Sequence, residues 1–162
     1  MAITKAKKKE IVEKASDILE KGKSFVFVNF TKLQVNDGNA MRKELRGKGI
    51  GYFISKKTLL QRALSQAKVE GNLPALDGQI ALAYGEDLLA PAREVYAFEK
   101  KLKDSIKIIG GIFEGGYFDR EQMLSIATIP PQEVLRGQFV NIINSPIQRF
   151  VIALDQIAQK KQ

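Results

Sequence analysis

Four short runs of β-branched and aromatic residues recur along the chain, each separated from the next by a segment with helical spacing. The runs are "SFVFVNF" (24–30), "IGYFIS" (50–55), "QIALAY" (79–84) and "IKIIGGIF" (106–113). Apolar density of this kind, bounded by turn residues, reads as strand. Before the first run, Ile11, Val12, Ala15, Ile18 and Leu19 fall on one helix face, with Gly22 as a stop. A polar helix carrying Met41 and Leu45 joins the first two runs. Leu59, Leu60, Ala63, Leu64 and Ala67 mark another, broken by the turn-rich "EGNLPALDG". Residues 88–102 form a further helix, and a short one lies near 119–127. The alternation predicts an α/β fold: a mixed, largely parallel sheet covered by helices.

Pro130-Pro131 then closes this part of the chain. Stop and start signals place a helix of about thirty residues after it. The organisation expected is therefore a globular unit over 1–129 and a projecting helix over 130–162, kinked near Pro146. Phe139-Val140 and Ile143-Asn144 recur eleven residues later as Phe150-Val151 and Leu154-Asp155. Eleven residues make about three turns, so the two blocks face almost the same way. Leu135, Phe139, Val140, Ile143, Ile147, Phe150, Val151, Leu154 and Ile157 fall within roughly 160° of one face. Gln138, Asn141, Ser145, Gln148, Asp155 and Gln156 take the other side. Such a stripe serves a partner offered the same site twice, packing on the parent unit, or self-association.

The formal net charge of the 162 residues is +8, and its placement matters more than its size. Residues 1–60 hold 14 Lys/Arg against 6 Asp/Glu, residues 61–130 hold 8 against 10, and residues 131–162 hold 4 against 2. A basic excess confined to the first third is the footprint of a polyanion site, although lysine-rich faces also serve solubility. Cysteine and histidine are absent, which removes thiolate zinc sites, cysteine nucleophiles and the commonest general base. No eighteen-residue apolar run and no secretory leader occurs, so a cytoplasmic protein without a membrane partner is expected. Asn29-Phe30-Thr31 matches the glycosylation pattern, which has no meaning without secretion.

Chemical motifs fail on spacing. "GKS" (22–24) precedes a strand, whereas a phosphate loop needs a helix behind it, and the first glycine of that pattern would fall on Asp17. "GGIFEGG" (110–116) lacks dinucleotide spacing and reads as a bulged strand with a turn. "KGKSFVFV" (21–28) keeps Lys21, Gly22, Phe25 and Val26 of an RNA-recognition core. Lys23 and Val28 nevertheless stand where stacking aromatics belong, so Phe25 and Phe27 read as core. No catalytic set, metal-ligand cluster or cofactor motif emerges, and no enzyme is expected. One stretch is positive: "FISKKTLLQRAL" (53–64) puts Ser55, Lys56, Lys57 and Thr58 at a strand-to-helix junction, with Arg62 a turn on. A phosphate seat on a helix start and a helix capped by Ser55 beside solvated lysines fit these residues equally.

The segments "KKKEIVEKASDIL", "FTKL", "MRKELRGKG", "SKKTLLQRAL", "LDGQIALAYGEDLLAPAR", "GGIFEGG" and "SIATIPPQEVLRGQFV", in this order from about residue 5 onward, resemble the bacterial large-subunit ribosomal protein L ten family, the ribosomal stalk-base proteins. The resemblance implies a non-enzymatic scaffold without cofactors. Its globular domain would sit on large-subunit (23S) ribosomal RNA at the GTPase-associated centre, beside ribosomal protein L eleven. Its terminal helix would carry two dimers of the acidic stalk protein (L seven/L twelve), which recruit translational GTPases. On this chain the RNA-facing positions would be Lys5, Lys7 and Lys8, then Lys32, then Lys56, Lys57, Thr58 and Arg62. The stalk-binding positions would be the nine residues of the apolar stripe.

Two departures stand out. The family junction usually reads basic-Asn-Thr, and here Lys57 replaces the asparagine; lysine can meet a phosphate but lacks an amide's paired donor and acceptor. Lys32 stands where many members have glycine. An RNA-binding regulator or assembly factor of the same superfamily would share the basic third but needs no terminal repeat. A small α/β enzyme would need a cleft built from carboxylates, Lys and Tyr.

Overall fold

The computed structural model describes residues 4–66, 69, 71, 74, 76, 78–102 and 105–160, the side chains of Lys5, Ala6 and Lys21 excepted. Ala67 of the expected third helix, and much of the turn-rich segment after it, lie outside the described residues. The chain divides into two compact units, Met1–Ile129 and Pro130–Gln162.

In the first unit the elements run α1 (Lys5–Lys21), β1 (Ser24–Phe30), α2 (Val35–Gly47), β2 (Gly51–Ser55), α3 (Lys57–Gln66), β3 (Ile80–Gly85), α4 (Ala90–Lys101), β4 (Ile106–Phe113), β5 (Gly116–Asp119) and α5 (Arg120–Ala127). All four apolar runs are strands within a residue of their expected limits. The five strands form one sheet in the order β2-β3-β1-β4-β5.

Every pairing in that sheet is antiparallel, which corrects the expectation of a largely parallel one. The expectation treats strands joined through a helix as neighbours. β1 and β2, joined through α2, do run the same way, but β3 lies between them and pairs with both. β3 and β4, joined through α4, are likewise separated by β1. Two split β-α-β units interleave, so each crossover skips one strand. The periodicity of a segment marks it as strand or helix but not which strand fills the gap.

Alternation along β1 sends side chains to two cores. Val26 and Val28 pack with Met41, Leu45, Val95, Phe98 and Met123, under α2, α4 and α5. Phe25 and Phe27 pack with Leu60, Leu64, Leu82 and Ile112, and with Ile18 and Leu19 of α1. The register slips between Phe27 and Val28, which pair with Gly110 and Ile108 and leave Ile109 as a bulged residue. The bulge reverses the parity of β4. Ile106 and Ile108 face the first core and Ile112 the second, although all three share even positions.

Glu114 (φ 50°) and Gly115 (φ 82°) then close the two-residue hairpin into β5, a turn that needs positive φ at both positions. The four-residue β5 is too short to stand out in the sequence. Phe118 meets Phe113 edge-on at 5.7 Å. Gln122 Oε1 accepts from the Asp119 amide at 3.1 Å and fixes the start of α5.

The second unit holds α6 (Gln132–Lys160), a helix of 29 residues with Pro146 inside it and no buried residue. Proline brings no N–H to the ladder, so the helix loses a hydrogen bond there.

Gly111 measures how tightly the first core is closed. A Cβ there would press on the Phe25 carbonyl oxygen and come within 2.8 Å of Met123 Cε, whereas one at Gly47 would meet nothing within 4 Å. Gly111→Ala should lower stability by ~1–3 kcal/mol in urea denaturation, while Gly47→Ala should leave it level or raise it by up to about 1 kcal/mol. Equal effects of the two would show that the β4–α5 contact is loose.

Candidate functional site

The split topology decides which loops meet. Because β1 and β2 run the same way, the residues after β1 and the residues after β2 emerge at the same end of the sheet. Between them β3 begins, contributing Gly78 and Gln79. α1 packs along α3 and brings its first turns to that end.

Three concavities follow one another there. The first, of about 550 Å³, lies between the 31–34 loop, α2 and β2 and includes Lys32, Val35, Arg42 and Tyr52. The second, about 620 Å³, shares Phe30, Ile54 and Gln79 with the first and adds Ser55, Lys56, Lys57 and Thr58. The third, about 690 Å³, shares Thr58 and Leu59 with the second and adds Lys8, Lys9 and Arg62 across the α1–α3 seam. The run therefore brings together Lys8 of the first expected segment, Lys32 of the second, and Lys56, Lys57, Thr58 and Arg62 of the third. Lys7 is exposed one residue before Lys8. Lys5 opens α1, but its side chain lies outside the described residues.

Local folding explains the junction. Ser55 is the last residue of β2, paired with Ile80, so it does not occupy the helix cap. Lys56 takes that place, and its carbonyl accepts from the amides of Leu59 and Leu60 at 3.0 and 3.1 Å. Its side chain has no acceptor to offer the amides of Lys57 and Thr58, which precede the first carbonyl-bonded amide of α3. Leu59, Leu60, Ala63 and Leu64 are buried and hold α3 to the sheet, leaving Lys56, Lys57, Thr58 and Arg62 outward.

Charge balance sets this rim apart. Among the described residues the ion pairs join Lys14 to Glu10, Lys48 to Glu94, Arg93 to Glu94 and Arg120 to Glu99. None draws on Lys7, Lys8, Lys32, Lys56, Lys57 or Arg62. Among the described residues, no carboxylate lines any of the three concavities. A row of cations without counter-charges repels itself and suits a polyanion. No group of three or more metal-ligating side chains occurs among the described residues, and no helix among them is long and apolar enough to cross a membrane.

Arg42, Tyr52, Gln79 and Lys9 belong to this surface and were missed in the sequence. Arg42 stands four residues after Gly38 and seven after Val35, and that spacing on α2 was the available signal. Tyr52 shares strand parity with Ile54, but nothing in the sequence says that β2 lies at an edge. Burial raises the Tyr52 phenol to about 12, and the Arg42 charge works in the opposite sense.

α6 by itself leaves all nine stripe residues, Leu135 to Ile157, exposed. Ile142 and Ile152 are exposed as well, and at 100° per residue Ile152 falls among the polar residues of the opposite side. That side is less purely polar than Gln138, Asn141, Ser145, Gln148, Asp155 and Gln156 alone suggest.

Residues 3–100 match the family model described as Ribosomal protein L10. The chain is also 30% identical over 156 residues to the Large ribosomal subunit protein uL10 of Staphylococcus carnosus (strain TM300), spanning 96% of this chain and 93% of that relative.

Lys32 has a left-handed backbone, φ 53°, at the head of the first concavity. For a side chain with a Cβ this costs ~1 kcal/mol or more. Lys32→Gly should raise stability by about 0.5–1 kcal/mol in urea denaturation while removing one cation. A less stable variant would mean that the lysine side chain itself holds the loop.

Proposed function

Since the chain belongs to the Ribosomal protein L10 family, a class of structural, non-enzymatic constituents of the large ribosomal subunit, we propose that it forms the base of the ribosomal stalk. The first unit anchors to 23S ribosomal RNA at the GTPase-associated centre, with ribosomal protein L eleven as its neighbour. The second unit carries two dimers of the acidic stalk protein (L seven/L twelve), through which translational GTPases are recruited indirectly. The place of work is the cytoplasmic ribosome.

One observation carries the stalk half of this reading: a helix of 29 residues that buries nothing and exposes an apolar stripe repeating every eleven residues. Each large side chain covered by a partner contributes ~1.5–3 kcal/mol before entropy costs, so a handful suffices for stable association. Pro146 stands between the two blocks, where a weakened ladder separates two docking segments. The RNA half rests on the run of concavities rimmed by Lys8, Lys32, Lys56, Lys57 and Arg62. The Thr58 hydroxyl and the amides of Lys57 and Thr58 supply hydrogen-bond donors to a phosphate.

Two experiments separate the halves. Lys56→Glu with Lys57→Glu should weaken binding to a large-subunit rRNA transcript by a few kcal/mol. It should also flatten the log-log salt slope by about 0.9 for each duplex phosphate that the variant no longer neutralises. Unchanged affinity and slope would remove the junction from the interface. Truncation after Ser145 should leave one stalk dimer bound, by native mass spectrometry, with RNA binding intact; retention of both dimers would refute the two-segment arrangement.

A further inference from the structure

Tyr52 presents a hydroxyl that is buried and has no hydrogen-bond partner among the described residues. Buried polar groups are almost always paired, and an unpaired one calls for an explanation. Its ring lines the first concavity of the basic run, about 550 Å³, a size in the range of ligand pockets. Around it stand Phe30, Arg42, Ile54 and Gln79. At the mouth, Val35 is 77% and Ile54 43% exposed, unusual for apolar side chains of a compact unit. Lys32 and Arg42 supply positive charge, and no carboxylate among the described residues lines the concavity to answer it. The Arg42 guanidinium donates to Asn39 Oδ1 at 3.2 Å and makes no ion pair among the described residues.

We propose that this concavity seats one unstacked nucleobase of RNA, with Tyr52 donating a hydrogen bond to an acceptor on the base edge. The inference rests on the reading of the basic run as an rRNA contact and adds to it a site that binds a base. Three features select this occupant. The apolar and aromatic walls suit the faces of a base, the cations at the rim suit its flanking phosphates, and the phenol offers a donor. An apolar side chain from a protein would leave Lys32 and Arg42 without a counter-charge. The pocket also shares Phe30, Ile54 and Gln79 with the next concavity, so a strand tracking Lys56 and Lys57 passes its mouth. With its pKa pushed up to about 12 by burial, the phenol keeps its proton throughout the physiological range.

The test uses the full chain and a large-subunit rRNA transcript containing 4-thiouridine. Tyr52→Phe should bind about tenfold more weakly, the size of one buried hydrogen bond, with an unchanged salt slope and no loss of stability. Val35→Glu, at an exposed position, should weaken binding at least as much by placing an anion at the mouth. Irradiation of the wild-type complex should yield nucleotide adducts on peptides containing Phe30 or Tyr52. Wild-type protein that does not bind the transcript would overturn the rRNA reading and the base site together. Tight wild-type binding, matched by both variants and without adducts, would overturn the base site alone. Variants that keep RNA affinity but fail to co-assemble with a neighbouring ribosomal protein would assign the pocket to a protein side chain and equally overturn it.

Discussion

Val26, Phe27 and Val28 of β1 are completely withdrawn from water, and the rest of the first unit is arranged around that two-sided burial. A strand covered on both faces needs apolar side chains at every position, and both of its edges must be hydrogen-bonded. β3 and β4 satisfy the edges, while α1 and α3 close one face and α2, α4 and α5 the other. Once β1 is flanked on both sides by antiparallel strands, β2 cannot pair with it and takes the outer edge of β3. The position of β2 is thus a consequence of how β1 is satisfied.

That displacement assembles the basic rim. Were β2 next to β1, as in a parallel sheet, the 31–34 loop and the Lys56–Lys57 junction would be immediate neighbours. With β3 inserted, they stand apart with Gln79 between them, and the gap becomes a run of concavities. Helix packing adds the third element, because the contact of α1 with α3 brings Lys8 and Lys9 opposite Thr58 and Arg62. The bulge at Ile109 acts at the other side of β1. It turns Ile112 to the second core and lets Gly111 face Met123, so that α5 closes over a strand that would otherwise present one face twice.

Stability and function follow different rules in this unit. Away from the rim, cations find carboxylates: Lys48 with Glu94, Arg120 with Glu99. At the rim they form no ion pair among the described residues, Lys32 adopts a left-handed backbone, and the Tyr52 hydroxyl finds no partner among the same residues. Local departures of this kind gather where a protein meets something else. α6 shows the same contrast in apolar terms, since its exposed stripe adds nothing to the helix by itself and gains only when covered.

The sequence by itself determined the elements other than β5, and the chemistry along each of them. The runs at 24–30 and 106–113, the helix faces through Leu59 and Leu64, the stop at Pro130-Pro131 and the stripe from Leu135 to Ile157 were all legible. Each depends on a period of two or 3.6 residues, which is a local property. The same holds for the Lys-rich segments, whose charge needs no partner to be counted. Only the tertiary structure decided that every strand pair is antiparallel, that β2 is an edge, and that Arg42 and Tyr52 join Lys32 around one hollow. These facts depend on which strand fills the gap between two others. The choice follows from burying both faces of β1 at once, and that burial is a property of the assembled sheet rather than of any segment.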